Sequence, residues 1–134
     1  MKATPAANKV VNQVPTLALR GITVFPGALF HFDVGRQKSI RSMEYAMANG
    51  QRIFLVTQRD VSVDDPGQED LYSMGTYCKV RQILKIPGDN IRVLVEGKQR
   101  ALLHRICENE PFLTADIELL PNMEINRVTK RDEA

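Results

Sequence analysis

The amino-acid sequence predicts a mainly β domain of the α+β class, in which six or seven short strands close into a small sheet or barrel and a single helix covers an end or a face. Three observations carry this prediction. Apolar and polar residues alternate in ALFHFDV, IRVLVEG and FLTADIELL, the period of a strand with one side on a core. Pro-Gly pairs at Pro26-Gly27, Pro66-Gly67 and Pro87-Gly88 break the chain at short intervals. Helical spacing occurs in one stretch, Arg36 to Asn49.

TLALRGITVF reads as a short apolar strand interrupted at Gly21, and Phe25-Pro26-Gly27 as the turn that reverses it. In ALFHFDV the residues Ala28, Phe30, Phe32 and Val34 share the core face, while Leu29, His31 and Asp33 face out. Ile40, Met43 and Met47 then recur at helical spacing, with Gln37, Lys38, Arg41 and Glu44 on the outer face and Asn49-Gly50 as the stop. RIFLVTQ is apolar throughout, as expected of a strand buried on both sides. The acidic stretch RDVSVDDPGQEDLYSMG is an exposed loop, since so many carboxylates resist burial. In TYCKVRQILKI, Cys78, Val80, Leu84 and Ile86 point inward and Tyr77, Lys79, Arg81 and Lys85 outward, with a bulge at Gln82 and Ile83. PGDN turns the chain into IRVLVEG, and RALLHRI and FLTADIELL supply two further strands. Residues 15–120 form the domain; 1–14 and 121–134 read as flexible tails without a packable apolar stripe.

The length of 134 residues suits one domain, and 43% apolar with 25% charged residues is an ordinary globular composition. No apolar run nears the ~20 residues that span a bilayer, and the first residues lack the apolar block of a secretory signal, so the expectation is a cytoplasmic protein with no membrane partner. Cys78 and Cys107 lie in no metal-binding pattern and read as small buried side chains. Net charge is only +2, but bases gather in residues 1–59 and 71–105 and acids in 60–70 and 106–134.

Nothing in the chain assembles a catalytic centre. There is no phosphate-cradling GxxxxGK[ST], the two histidines His31 and His104 lie on separate strands, and Lys38-Ser39 diverge by ~100° around a helix. No catalytic, cofactor or metal residue is therefore assigned. Recognition residues are. Arg36, Gln37, Lys38 and Arg41 on the helix, with Leu71, Tyr72, Met74 and Tyr77, form a candidate surface for substrates or partners, methionine suiting varied apolar contacts. Lys79, Arg81, Lys85 and Arg92 form a candidate stripe for nucleic acid or another polyanion.

LALRGITVFPGALFHFDVGRQKSI, RIFLVTQRD, DDPGQEDLYSMGT and KVRQILKIPGDNIRVLVEGKQRALL, in this order and spacing, resemble the N-terminal domain of the ATP-dependent protease Lon over about residues 15–120. Ala18, where that family usually has proline, and Lys98, where an apolar residue is common, depart from it. The resemblance implies a six-stranded PUA-like pseudo-barrel with one α-helix. It implies capture of unfolded, damaged or degron-bearing proteins, and a contribution to a homo-hexamer. ATP with magnesium and a serine-lysine dyad would reside in modules of the parent chain outside this sequence, which reads as the front portion of a longer protein. By itself this portion would be a monomer or weak dimer. The alternatives are a nucleic-acid-binding PUA-like module and a stand-alone LON-domain interaction protein.

Overall fold

The run RIFLVT leaves no polar side to face water, and it becomes the strand on which both cores are built. Ile53 and Leu55 enter one core with Leu17, Leu19, Met43, Val80, Val93 and Val95. Phe54 and Val56 enter a second with Ala18, Leu71, Ala101, Ala115 and Ile117. The computed structural model describes residues 9–121. In chain order its elements are β1 (Lys9–Leu19), β2 (Leu29–Val34), α1 (Gln37–Ala48), β3 (Arg52–Thr57), β4 (Met74–Ile86), β5 (Asn90–Glu108) and β6 (Thr114–Leu119), with a 3-10 turn at Gln68–Asp70.

The strand order is β2-β5-β4-β3-β1-β6, and β6 also pairs with β5, so five strands close a ring while β2 lies outside it on β5. Only β1 and β3 run parallel; the other pairs are antiparallel. Closure depends on the length of β5, which pairs with β4 over residues 90–102, with β2 over 91–96 and with β6 over 101–108. IRVLVEG and RALLHRI, expected as two strands, are this single strand. Gly97 between them is required: a Cβ there would lie 2.2 Å from the carbonyl oxygen of Phe25. The architecture is the six-stranded pseudo-barrel with one helix that the family resemblance implied, and it agrees with the small sheet or barrel expected from the strand pattern.

Helix α1 lays Ile40, Met43 and Ala46 on the first core and ends at Asn49-Gly50, where Gly50 takes φ of 91°. Further expectations need correction. Residues 9–14 are part of β1 and not of a flexible tail, because Lys9, Val11 and Val14 pair with Leu119, Ile117 and Ala115 of β6. An irregularity between Val11 and Val14, with Gln13 at φ of 54°, broke the alternation that would have shown it. The remainder of the two tails, residues 1–8 and 122–134, lies outside the described residues. TLALRGITVF stops being a strand at Leu19. Leu84 is exposed and Ile83 packs on the first core, because the extra residue on β4 sits between Val80 and Gln82 and resets the pleat one position earlier than expected. Cys78 is buried as expected, whereas Cys107 is half-buried and donates to Asp116 Oδ1 at 3.1 Å.

Candidate binding site

At the end of the barrel where β1 and β3 finish and β4 begins, residues 20–28 cross from β1 to β2. Side-chain hydroxyls of the neighbouring strands hold this crossing in place: Thr57 Oγ1 donates to Ile22 O at 2.9 Å and Thr76 Oγ1 to Val24 O at 2.6 Å. The Gly97 N–H donates to Ala28 O at 2.9 Å, and the Gly27 N–H donates to Gly97 O at 2.8 Å. Val24 is drawn into the core, which leaves Ile22 and Phe25 outside at 42% and 49% exposure. The Tyr72 N–H donates to Thr57 O at 3.0 Å, bringing Tyr72 and Met74 to the same end, 46% and 39% exposed. Arginines flank this apolar set. The Arg59 guanidinium lies over the Tyr72 ring at 4.8 Å, and Arg100 over Phe25 at 5.8 Å.

The residues singled out from the sequence are divided by the fold. Tyr72 and Met74 belong to this surface. Leu71 does not, being 3% exposed in the second core, and Tyr77 is half-buried against that core. Arg36 and Lys38 face a different region and act as clamps. Arg36 donates to Ala18 O at 3.0 Å, Asp64 O at 2.9 Å and Gln58 Oε1 at 3.3 Å. Lys38 reaches Asp65 at 2.9 Å, Asn109 at 2.7 Å and Glu110 at 3.1 Å. Together with Arg20 on Asp64, they bind the acidic stretch over a cavity of about 280 Å³ lined by Thr16, Ala18, Pro66 and Leu113. Burial lowers the Arg36 pKa, while the hydrogen bond to Asp65 raises that of Lys38. Gln37 and Arg41 are exposed on the outer side of α1.

The stripe of Lys79, Arg81, Lys85 and Arg92 does not assemble. Arg81 is paired with Glu96, which also binds Lys98 at 3.1 Å, and Arg92 grips Asp33 through two bonds at 2.8 and 3.2 Å. Glu96 and Asp33 are both held below the usual carboxylate range by these bonds. Lys85 pairs with inward-facing Ile91 and Lys79 with Glu96, so the bulge on β4 places the two lysines on opposite faces of the sheet. Among the described residues no group of three His, Cys, Asp or Glu side chains is placed to hold a metal ion, and no helix is long and apolar enough to cross a membrane.

Sequence reasoning missed Ile22, Phe25, Arg59 and Arg100. The local pattern places Ile22 in an apolar strand and Phe25 at the turn that follows it, and only the position of the crossing shows that both are exposed at one barrel end. A usable signal was present: Gly21 and Pro26-Gly27 bracket them too closely for a buried strand.

The model of the ATP-dependent protease La (LON) substrate-binding domain matches residues 13–134. The chain is 44% identical to Lon protease 1 of Bacillus subtilis over 114 residues, which is 85% of this chain and 15% of that protein. It is 49% identical to the Lon protease of Clostridium acetobutylicum over 110 residues, 82% of this chain and 14% of that protein. The chain thus spans about one seventh of the length of these curated relatives. The fold is similar to that of the N-terminal domain of Mycobacterium avium complex Lon protease, with a TM-score of 0.60 at 19% identity over 85% of this chain and 56% of that one. A Lon N-terminal domain protein from Xanthomonas campestris gives a TM-score of 0.64 at 12% identity over 83% and 61%. With this fold, this match length and these identities, the chain belongs to the LON substrate-binding domain family.

Proposed function

We propose that the domain captures unfolded, damaged or degron-bearing polypeptides at the surface formed by Ile22, Phe25, Tyr72 and Met74. It would deliver them to ATPase and serine protease modules of a longer parent chain in the cytoplasm. The observation that carries this is the cluster of four exposed apolar side chains at one barrel end, fixed by threonine hydroxyls and bordered by two arginines. Such a surface offers adaptable apolar contact without a shaped pocket, which suits clients of varied sequence. ATP and magnesium would act in the absent modules, and a contribution to hexamer assembly belongs to the same proposal. A polyanion reading has less support, since Arg81 and Arg92 are engaged by acids.

The test is titration of a fluorescent, permanently unfolded polypeptide, reduced and carboxymethylated, against this chain and its Tyr72→Ser/Met74→Ser variant. Loss of two apolar anchors should weaken binding by about tenfold or more, with thermal stability unchanged. Equal affinity of the two proteins would refute the assignment of the surface.

A further inference from the structure

Beyond the capture surface, the edge of β5 carries an unusual cover. On the β4 side the ladder ends with Met74 opposite Leu102 and the Leu103 N–H donating to Ser73 O at 2.7 Å. β5 continues to Glu108, with β6 on its other edge pairing Arg105, Ile106 and Glu108 with Asp116, Ala115 and Thr114. No strand of the described chain follows Ser73 along the open edge; the side-chain amide of Gln68 stands there instead. Its Nε2 donates to His104 O at 3.2 Å and its Oε1 accepts from the Ile106 N–H at 2.9 Å. One primary amide thus supplies both the donor and the acceptor that one residue of a neighbouring parallel strand would supply through its own N–H and C=O. Both bonds are exposed, and Gln68 sits on a single 3-10 turn. A cavity of about 440 Å³ adjoins this edge, lined by Arg59, Gln68, Glu69, Leu71, Ser73 and Leu103. Arg59, which stacks on Tyr72, links the cavity to the capture surface.

We propose that the β5 edge at His104–Glu108 is a strand-addition site, at which an extended segment of unfolded polypeptide displaces the Gln68 amide and pairs with β5 through its main chain. The occupant follows from the stand-in: what fits the edge is an N–H donor and a C=O acceptor facing the same side, which every second residue of an extended polypeptide presents. Folded proteins have these groups occupied, whereas an unfolded chain presents them in every residue. Main-chain pairing is also indifferent to sequence, with side chains on one face of the added strand directed to the Leu71 and Leu103 cavity. This proposal rests on the capture reading and supplies its recognition mode.

The experiment titrates a short fluorescent peptide of alternating valine and threonine, and two derivatives N-methylated on every second residue in opposite phases. The expected result is loss of about tenfold or more in affinity for one phase and little change for the other, because only alternate N–H groups of a strand face its neighbour. The Gln68→Ala variant should bind the unmethylated peptide about fivefold more tightly, because the two exposed amide bonds, each at the low end of a net hydrogen bond, no longer have to be displaced. Slowed hydrogen exchange at the Ile106 amide on peptide addition is the site-specific readout. If both methylated forms bind like the parent and Gln68→Ala changes nothing, the strand-addition site is refuted; sensitivity of that binding to Tyr72→Ser/Met74→Ser would then leave the capture surface standing. No binding of the peptide by a protein that still binds the unfolded polypeptide overturns strand addition alone; no binding of either overturns both.

Discussion

The Gly97→Ala substitution tests the link between the barrel and the proposed capture surface. Gly97 has no unusual φ, so its need for glycine is purely a matter of space. An added Cβ would meet Phe25 O at 2.2 Å, Phe25 C at 2.9 Å and Pro26 Cα at 3.2 Å, all backbone atoms that no rotamer change can clear. Residues 25–28 must therefore move away from β5, and this breaks the bonds of Gly97 with Gly27 and Ala28. Overpacking of this kind costs ~1–3 kcal/mol, and each broken hydrogen bond ~1 kcal/mol, for a total of roughly 3–5 kcal/mol. That is a large part of the ~5–15 kcal/mol typical of a domain. Urea unfolding followed by circular dichroism should show a lower midpoint at an unchanged slope, with the neighbouring exposed Lys98→Ala within ~0.5 kcal/mol of the parent. Phe25 is displaced by the same movement, so under the proposed function affinity for the unfolded polypeptide should fall as well. A loss below ~1 kcal/mol for Gly97→Ala would mean that the crossing shifts freely and that β5 does not fix Phe25.

Other consequences follow from the packing and the charges. Phe54 is fully buried with its ring against Gly75, and Phe54→Ala should cost ~3–5 kcal/mol by calorimetry. Arg36→Met should cost ~2–3 kcal/mol, and Arg36→Lys should rescue little of it in the same melts, since one ammonium cannot serve three divergent oxygens. Asp33, Glu96 and Asp116 titrate low because of hydrogen bonds from Arg92, from Lys98 and Arg81, and from the Cys107 thiol and the Gln13 amide. Folded pKa values depressed in this way contribute stability above the unfolded values, and this is lost as pH falls through the folded ones. The melting temperature should therefore drop below about pH 4, and less steeply in Asp33→Asn. Burial pushes the Cys78 thiol up to about 12, so a thiol reagent should modify it only as fast as the chain unfolds.

The sequence by itself determined those features that one strand or helix displays along its own length. The alternation of Phe30, Phe32 and Val34, the two-sided burial of Ile53 to Val56, and the helix ending at Gly50 are local patterns, written by the period of the backbone and the need to hide apolar groups from water. Strand spacing and turns predicted a small sheet or barrel, and the resemblance to a known family then supplied the six-stranded pseudo-barrel. Tertiary structure alone decided where distant segments meet. The parallel union of β1 with β3, the span of β5, the extension of β1 to Lys9 and the phase of Ile83 against Leu84 are settled by partners tens of residues away. The same dependence governs function. Whether Arg92 is a cation for a ligand or a partner of Asp33, and whether Phe25 is core or surface, depends on which atoms the fold brings within a few ångströms, and short-range electrostatics and packing respond to that distance and to nothing in the local sequence.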